Sequence, residues 1–382
     1  MKVFNQINDQ QNFMNIFYPR SIISLLIMLS FIKSKKNDKN KNILILEKVY
    51  FDKFIKISLN QDLLYNYFKI VKIISTPETT HKIFSYNYLK LYFYNNQIVN
   101  KIEKLNSIKN LLKIECKNFY GAGSYLDEIF FRKNVNAKFY FVEHGVGNIY
   151  QFSTNNIFKA RIHKLLKNIL NFIFSNKSFK YYGYLGILNK KFTKSIYINH
   201  KKVEKNLTIN LLKFKEVLNE FLLIYKKNKK LKKKNKKNYI LFNWNYLIKP
   251  KSDIIAQMIK KHKINFRKDI FIIKAHNKDM YNNDKNYNLL IKILNENKIK
   301  FNSIDNKFSF MPLEYMIYHF NIKKIISLMS STPFYLSIIF PKIKIIFYYS
   351  LNKEFNKKYF FPEHTNLALR TYKNKFKNIS FF

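Results

Sequence analysis

Three short polar stretches carry side chains that can do chemistry, and each directly follows a short apolar run. The first is Glu143-His144-Gly145, after Phe139–Val142. A carboxylate there can take the proton of a hydroxyl as that hydroxyl attacks a carbon, provided partial burial tunes its pKa. A solvated turn carboxylate is the plainer reading. His144 is the other candidate base. The second stretch is Lys274-Ala275-His276-Asn277, after Ile270–Ile273. Lys274 and His276 offer a cation or a donor to a nucleotide phosphate and so stabilise a leaving group, although a lone loop histidine is more often structural. The third is Ser330-Ser331-Thr332-Pro333. Pro333 suits the first position of a helix, which makes Thr332 the N-cap with two more hydroxyls before it. Unpaired N–H groups and the positive dipole end make such a start a cradle for phosphate or carboxylate; the simpler role is capping alone. Asn243, closing the apolar run Tyr239–Phe242, is a further substrate-binding candidate.

Several other chemistries find no footing. The chain has no phosphate-binding P-loop and no complete G-x-G-x-x-G fingerprint, since Gly145-Val146-Gly147 is followed by Tyr150. Zinc spacing of His and Cys and a Gly-x-Ser-x-Gly elbow are likewise missing. No Asp-x-Asp pair is present, which argues against metal-dependent sugar transfer. No metal site is therefore expected.

These stretches need elements that hold them at one edge. Phe13–Tyr18 reads as a strand, Pro19 breaks it, and Ser21 can cap a helix to about Lys33. A polar turn, 34–41, leads to the apolar run Ile43–Leu46, typical of a buried parallel strand. Further strands are expected at Ile70–Ser75, Leu111–Phe119 and Phe139–Val142, with a helix from Tyr125. All 6 glycines fall between Gly121 and Gly186, and two Gly-x-Gly turns follow strands, where backbone must bend tightly or approach a ligand. A second alternating block follows. Strands are expected at Tyr239–Phe242, Asp269–Lys274, Lys323–Leu328 and Lys344–Tyr349. Helices are expected at Ser252–His262, Tyr287–Asn297 and Pro312–Phe320, with one more running to about Phe340. The fold class is α/β, with two Rossmann-like domains in a GT-B-type glycosyltransferase architecture. The domains are expected at 1–224 and, with a terminal tail, at 239–382, with 225–238 a basic linker or the solvated end of a helix; in a GT-B layout the first would lie on the acceptor side and the second would bind the nucleotide sugar. In such folds ligands lie beyond the carboxyl ends of the strands.

The formal charge is +47, from 70 Lys+Arg against 23 Asp+Glu. It favours anionic ligands and an anionic membrane surface, although compositional drift toward Lys, Asn, Ile, Phe and Tyr also produces it. The lysines are spread along the whole chain, so no nucleic acid partner is expected, and a basic nucleic-acid-binding protein stands as an alternative. Cys116 is the single cysteine, which excludes an internal disulfide and suits a reducing cytoplasm. It sits in an apolar stretch and reads as core. The apolar segment Ser21–Ile32 is followed by the basic residues Lys33, Lys35 and Lys36, ends at no small-residue cleavage site and is too short to span a bilayer, so it reads as a buried helix.

The three polar stretches, in this order and spacing, resemble the bacterial polysialyltransferase and lipooligosaccharide sialyltransferase families. Those families carry an acidic–acidic–Gly motif in the first domain, a His-Pro motif after a strand in the second, and a serine pair further on. Here the counterparts are Glu143-His144-Gly145, His276-Asn277 and Ser330-Ser331, and FVEHGVGNIY is similar to the families' strand-then-motif segment. The resemblance implies an inverting, metal-independent transfer of sialic acid from CMP-sialic acid to a cell-surface glycan acceptor, with no cofactor. Glu143 would be the general base, and His276 would contact the CMP phosphate and assist its departure. Ser330 and Ser331 would bind the phosphate or the sialic acid carboxylate. His144 replaces the second acidic residue and Asn277 the proline. These departures leave open a same-fold transferase that uses another nucleotide-activated sugar or a polyol phosphate. The expected location is the cytoplasm, at the inner membrane face.

Overall fold

The computed structural model describes residues 13–35, 38–48, 51–52, 61–75, 97–121, 125–133, 136–142, 192–198, 207–209, 211–228, 238–243, 252–262, 269–274, 285–303, 322–328, 339–348 and 377–381, with isolated positions in 165–173 and 313–337. The chain divides into two compact units, each built on one parallel sheet.

The first sheet contains β1 (Met14–Tyr18), β2 (Asn42–Glu47), β3 (Ile70–Ile74), β4 (Cys116–Gly121), β5 (Lys138–Val142), β6 (Phe192–Ile198) and β7 (Leu207–Ile209), in the order β3-β2-β1-β4-β5-β6-β7. All six pairings are parallel. Parallel strands need a crossover, and helices therefore cover the faces. Between β1 and β2 runs α1 (Ile22–Lys35), in which 10 residues are buried. Its apolar residues lie all round the helix, as in a core helix, and it packs against β5, β6 and β7. The start is a reciprocal cap: the Ser24 N–H donates to Ser21 Oγ at 3.0 Å and the Ser21 N–H donates to Ser24 Oγ at 2.9 Å. On one face of the sheet Ile16, Ile43, Phe119 and Phe139 form a core with Ile108 and Leu111 of α2 (Asn106–Leu112) and Ile129 and Phe130 of α3 (Tyr125–Lys133). Phe119 meets both Phe130 and Phe139, at ring distances of 5.0 and 5.4 Å. On the other face Phe17 stacks on Tyr120 at 4.4 Å, and Tyr120 on Tyr140 at 4.7 Å.

Register in this sheet is pinned by a row of amides across three adjacent strands. Asn15 donates to Asn42 at 3.0 Å, and Asn118 donates to Asn15 at 2.7 Å. These residues are also partners in the ladder. Slipping a strand by one residue would turn its amide to the other face and leave buried Asn42 without its mates. The last helix of this region, α4 (Leu211–Asn228), buries Phe214, Val217, Leu218 and Phe221. Its Glu220 receives Lys33 from α1 and the Tyr67 hydroxyl, the latter at 2.6 Å.

The second sheet contains β8 (Asn238–Asn243), β9 (Asp269–Lys274), β10 (Phe301–Ser303), β11 (Ile322–Leu328), β12 (Lys344–Tyr348) and β13 (Ile379–Phe381), in the order β10-β9-β8-β11-β12-β13. It too is parallel throughout. Its core joins Ile240, Phe242, Phe271, Ile273, Ile326 and Ile346 to Ile255 and Met258 of α5 (Ser252–Lys261) and to Leu290, Ile293 and Leu294 of α6 (Lys285–Glu296). The expected two Rossmann-like α/β sheets are thus present.

One boundary differs from its reading in the sequence. The expected strand Leu111–Phe119 divides into the end of α2 and the strand β4. Ile108 and Leu111, three apart, are both buried as one face of a helical turn, and Lys113–Glu115 then release the chain into the sheet. The segment 312–320 lies mostly outside the described residues, as does most of the lysine-rich run, although α4 carries its opening residues as helix to Asn228. No described helix is long and apolar enough to cross a membrane.

Cys116 is buried, as its apolar surroundings implied. Burial pushes its thiol up to about 12, against a smaller opposing effect from the Ile16 backbone. The thiolate is the reactive form. A thiol-specific reagent at pH 8 is therefore expected to label the native protein no faster than it unfolds, and to label the denatured chain at once. Because the folded value is raised, the stability from keeping this thiol neutral is complete below the ordinary thiol range. It is lost as pH climbs toward about 12. Rapid native labelling would place Cys116 outside the core.

Candidate functional site

A doubly wound sheet opens a crevice where its strand order reverses, because the connections leave two neighbouring strands in opposite directions. In the second sheet that point lies between β8 and β11. The ladder aligns Asn243 at the end of β8 with Lys274 at the end of β9, and with Ser327 one residue before the end of β11. Three adjacent strands therefore end in one row. Asn243 and Lys274, chosen from the sequence, lie in that row as backbone neighbours. His276 comes two residues after Lys274, and Ser330, Ser331 and Thr332 come two to four residues after Leu328. Those four residues lie outside the described residues, as do Glu143, His144 and Gly145. The strands that lead into all of them are in place.

In the first sheet the order reverses between β1 and β4. Tyr18 pairs with Gly121 across that point, and Gly121 pairs with Phe141 of β5, one residue before Val142. Glu143 directly follows β5, the neighbour of β4, which itself flanks the reversal.

The carboxyl edge of this sheet also holds polar groups that the sequence reading missed. The Tyr18 hydroxyl donates to the Glu47 carboxylate at the end of β2. Tyr18 is buried, and burial, followed by the charge of Glu47, holds its pKa well above the usual tyrosine value, with Arg20 opposing. It remains a neutral donor at ordinary pH. Asp127, in the first turn of α3, is fully buried. A Cβ added to Gly121 would stand 1.4 Å from Asp127 Oδ1 and 2.7 Å from Phe119 Cε1. At Gly121 a close approach is made by the chain's own carboxylate. Two signals mark the group in retrospect: a carboxylate ending the apolar strand 42–47, and the Ser124-x-x-Asp127 spacing of a helix start.

Among the described residues no group of three His, Cys, Asp or Glu side chains is placed to hold a metal.

No family model matches the sequence, and no curated protein sequence matches it. Solved structures do. The Glycyrrhiza uralensis protein UGT73P12, complexed with glycyrrhetinic acid 3-O-monoglucuronide, is 8% identical, with a TM-score of 0.52 over 97% of this chain and 81% of that one. The GT-B domain of a Photobacterium damselae sialyltransferase is 12% identical, with a TM-score of 0.45 over 96% and 99% of the two chains. A UDP-glucose: anthocyanidin 3-O-glucosyltransferase in complex with UDP is 8% identical, with a TM-score of 0.47 over 97% and 86%. At these identities the likeness is one of fold. That to the Glycyrrhiza uralensis protein, with the two doubly wound parallel sheets, accords with the expected GT-B-type fold.

Proposed function

We propose that the protein is a glycosyltransferase that moves sialic acid from CMP-sialic acid to a cell-surface glycan, with inversion and without a metal. One observation carries the reading: Asn243 and Lys274, at the ends of β8 and β9, and Ser327, one residue before the end of β11, stand in register at the point where the second sheet reverses. That edge is where doubly wound folds take nucleotides, and His276 and Ser330–Thr332 follow directly from it. The resemblance of the three polar stretches to the sialyltransferase families supplies the donor.

In the proposed reaction the acceptor hydroxyl oxygen attacks the anomeric carbon of the sialic acid. The bond from that carbon to the CMP phosphate oxygen breaks, and its electron pair leaves with CMP. Glu143 takes the hydroxyl proton. His276 and Lys274 offset the charge that develops on the phosphate. Asn243, Ser330, Ser331 and Thr332 bind the phosphate or the sugar carboxylate, and His144 and Gly145 shape the acceptor side. The enzyme works in the cytoplasm, where nucleotide sugars are made. Its lysines favour the anionic inner membrane face, each contributing roughly 1 kcal/mol near the surface.

The test is the melting temperature of the protein with CMP, UDP, GDP or CDP, beside a His276→Ala variant. A nucleotide at a hundred times its Kd stabilises the native state by about 2.7 kcal/mol. Stabilisation by CMP, lost in the variant, is the expected outcome. A shift with a different nucleotide keeps a nucleotide-dependent transferase and replaces the donor. A normal melt with no shift from any nucleotide removes the reading.

A further inference from the structure

The first unit carries a cationic pocket that the proposed reaction does not use. It has a volume of about 520 Å³ and is lined by Asn100, Glu103, Lys104, Lys109, Leu112, Lys113 and Lys133. Its walls come from the helical segment 97–103, α2 and α3. Four ammonium groups face one carboxylate, and that carboxylate is engaged, with Lys133 lying 3.2 Å from Glu103. Among the described residues no carboxylate pairs with Lys104, Lys109 or Lys113. Three cations thus share a concavity whose remaining lining is an amide and a half-buried leucine.

Topology places this pocket away from the carboxyl edge of the first sheet. Lys113 stands three residues before β4, and Lys133 stands five residues before β5. Both therefore lie toward the amino ends of two adjacent parallel strands, whereas the candidate catalytic residues follow carboxyl ends.

We infer that this pocket is an exosite for an anionic oligosaccharide, a short stretch of glycan bearing carboxylate groups. The chemistry is matched in three respects. Convergent ammonium groups attract spaced oxyanions as point charges. Leu112 offers an apolar surface for the C–H face of a sugar ring, and Asn100 can both donate to and accept from hydroxyls. The concavity, about 520 Å³ and open to solvent, has room for a short stretch of glycan. The exosite would hold an acidic acceptor chain away from the reacting end, raising its effective concentration there. This role rests on the glycan-transfer reading, but binding to the pocket does not require donor or turnover.

The test is direct calorimetric binding, without nucleotide, of size-defined oligomers of polysialic acid and of polygalacturonic acid, with neutral dextran oligomers as control. Two triple variants are compared. Lys104→Ala/Lys109→Ala/Lys113→Ala empties the pocket of unpaired charge, and Lys260→Ala/Lys300→Ala/Lys342→Ala removes the same charge from exposed positions of the second unit. The expected loss is about tenfold for the pocket variant, with less than about a twofold change for the control. Equal losses in the two variants would reduce the effect to bulk charge and overturn the site. Absence of acidic-oligomer binding, or binding only to phosphatidylserine vesicles, overturns it as well. The CMP measurement stands apart from this one, so either idea can fail while the other survives.

Discussion

Glu143→Gln is expected to lower sugar transfer by about 10²- to 10⁴-fold, the usual worth of a positioned general base. CMP should still raise the melting temperature of this variant as it does the parent's. The amide keeps the size of the side chain and cannot take a proton. Glu143 follows β5 in the first sheet, whereas the residues assigned to the nucleotide follow β8, β9 and β11 in the second. Loss of turnover with retained nucleotide binding is therefore the signature of the base. His276→Ala should lose both. A Glu143→Gln enzyme of normal turnover would move the role to His144, and His144→Ala would then show the loss.

Leu26→Lys is expected to abolish folding of the first unit. Leu26 is fully buried in α1, which is buried on all sides, with Leu25, Ile27, Met28 and Leu29 beside it. No carboxylate is among the buried residues of the helix to receive an ammonium group. An unpaired charge there costs several kcal/mol, a large share of the 5 to 15 kcal/mol that holds a typical domain together. The expected result is loss of near-ultraviolet circular dichroism and of soluble yield. Ser34→Lys, at an exposed position of the same helix, should change stability by about 0.5 kcal/mol or less. If the two variants melt alike, α1 is not the core helix described.

Much of this organisation was legible because local pattern and tertiary burial coincide. The run Ile43–Leu46 is apolar without alternation because β2 is covered on both faces, and Ser21 caps α1 through the reciprocal bonds that its position suggested. The strands β1, β2, β3, β5, β8, β9, β11 and β12 lie where their short apolar runs stand. Because those runs end at polar residues, the candidates Glu143, Asn243, Lys274, His276 and Ser330 could be assigned to strand ends before any packing was known.

Pairing between distant segments was not legible. The strands β6, β7, β10 and β13 were missed, because Phe192–Ile198 mixes polar and apolar residues and the other three have three residues each. Such segments become strands only when a neighbouring edge completes their hydrogen bonds. The same dependence decides that β8 lies between β9 and β11, which turns separate strand ends into one row. Only packing shows Gly121 yielding space to Asp127, Tyr18 donating to Glu47, and Lys104, Lys109 and Lys113 sharing a pocket. Apolar runs by themselves marked most of the strands and roughly where those end, since burial requires that pattern locally. Which ends become neighbours was decided by tertiary structure alone, because pairing energy depends on contacts between residues far apart in the chain.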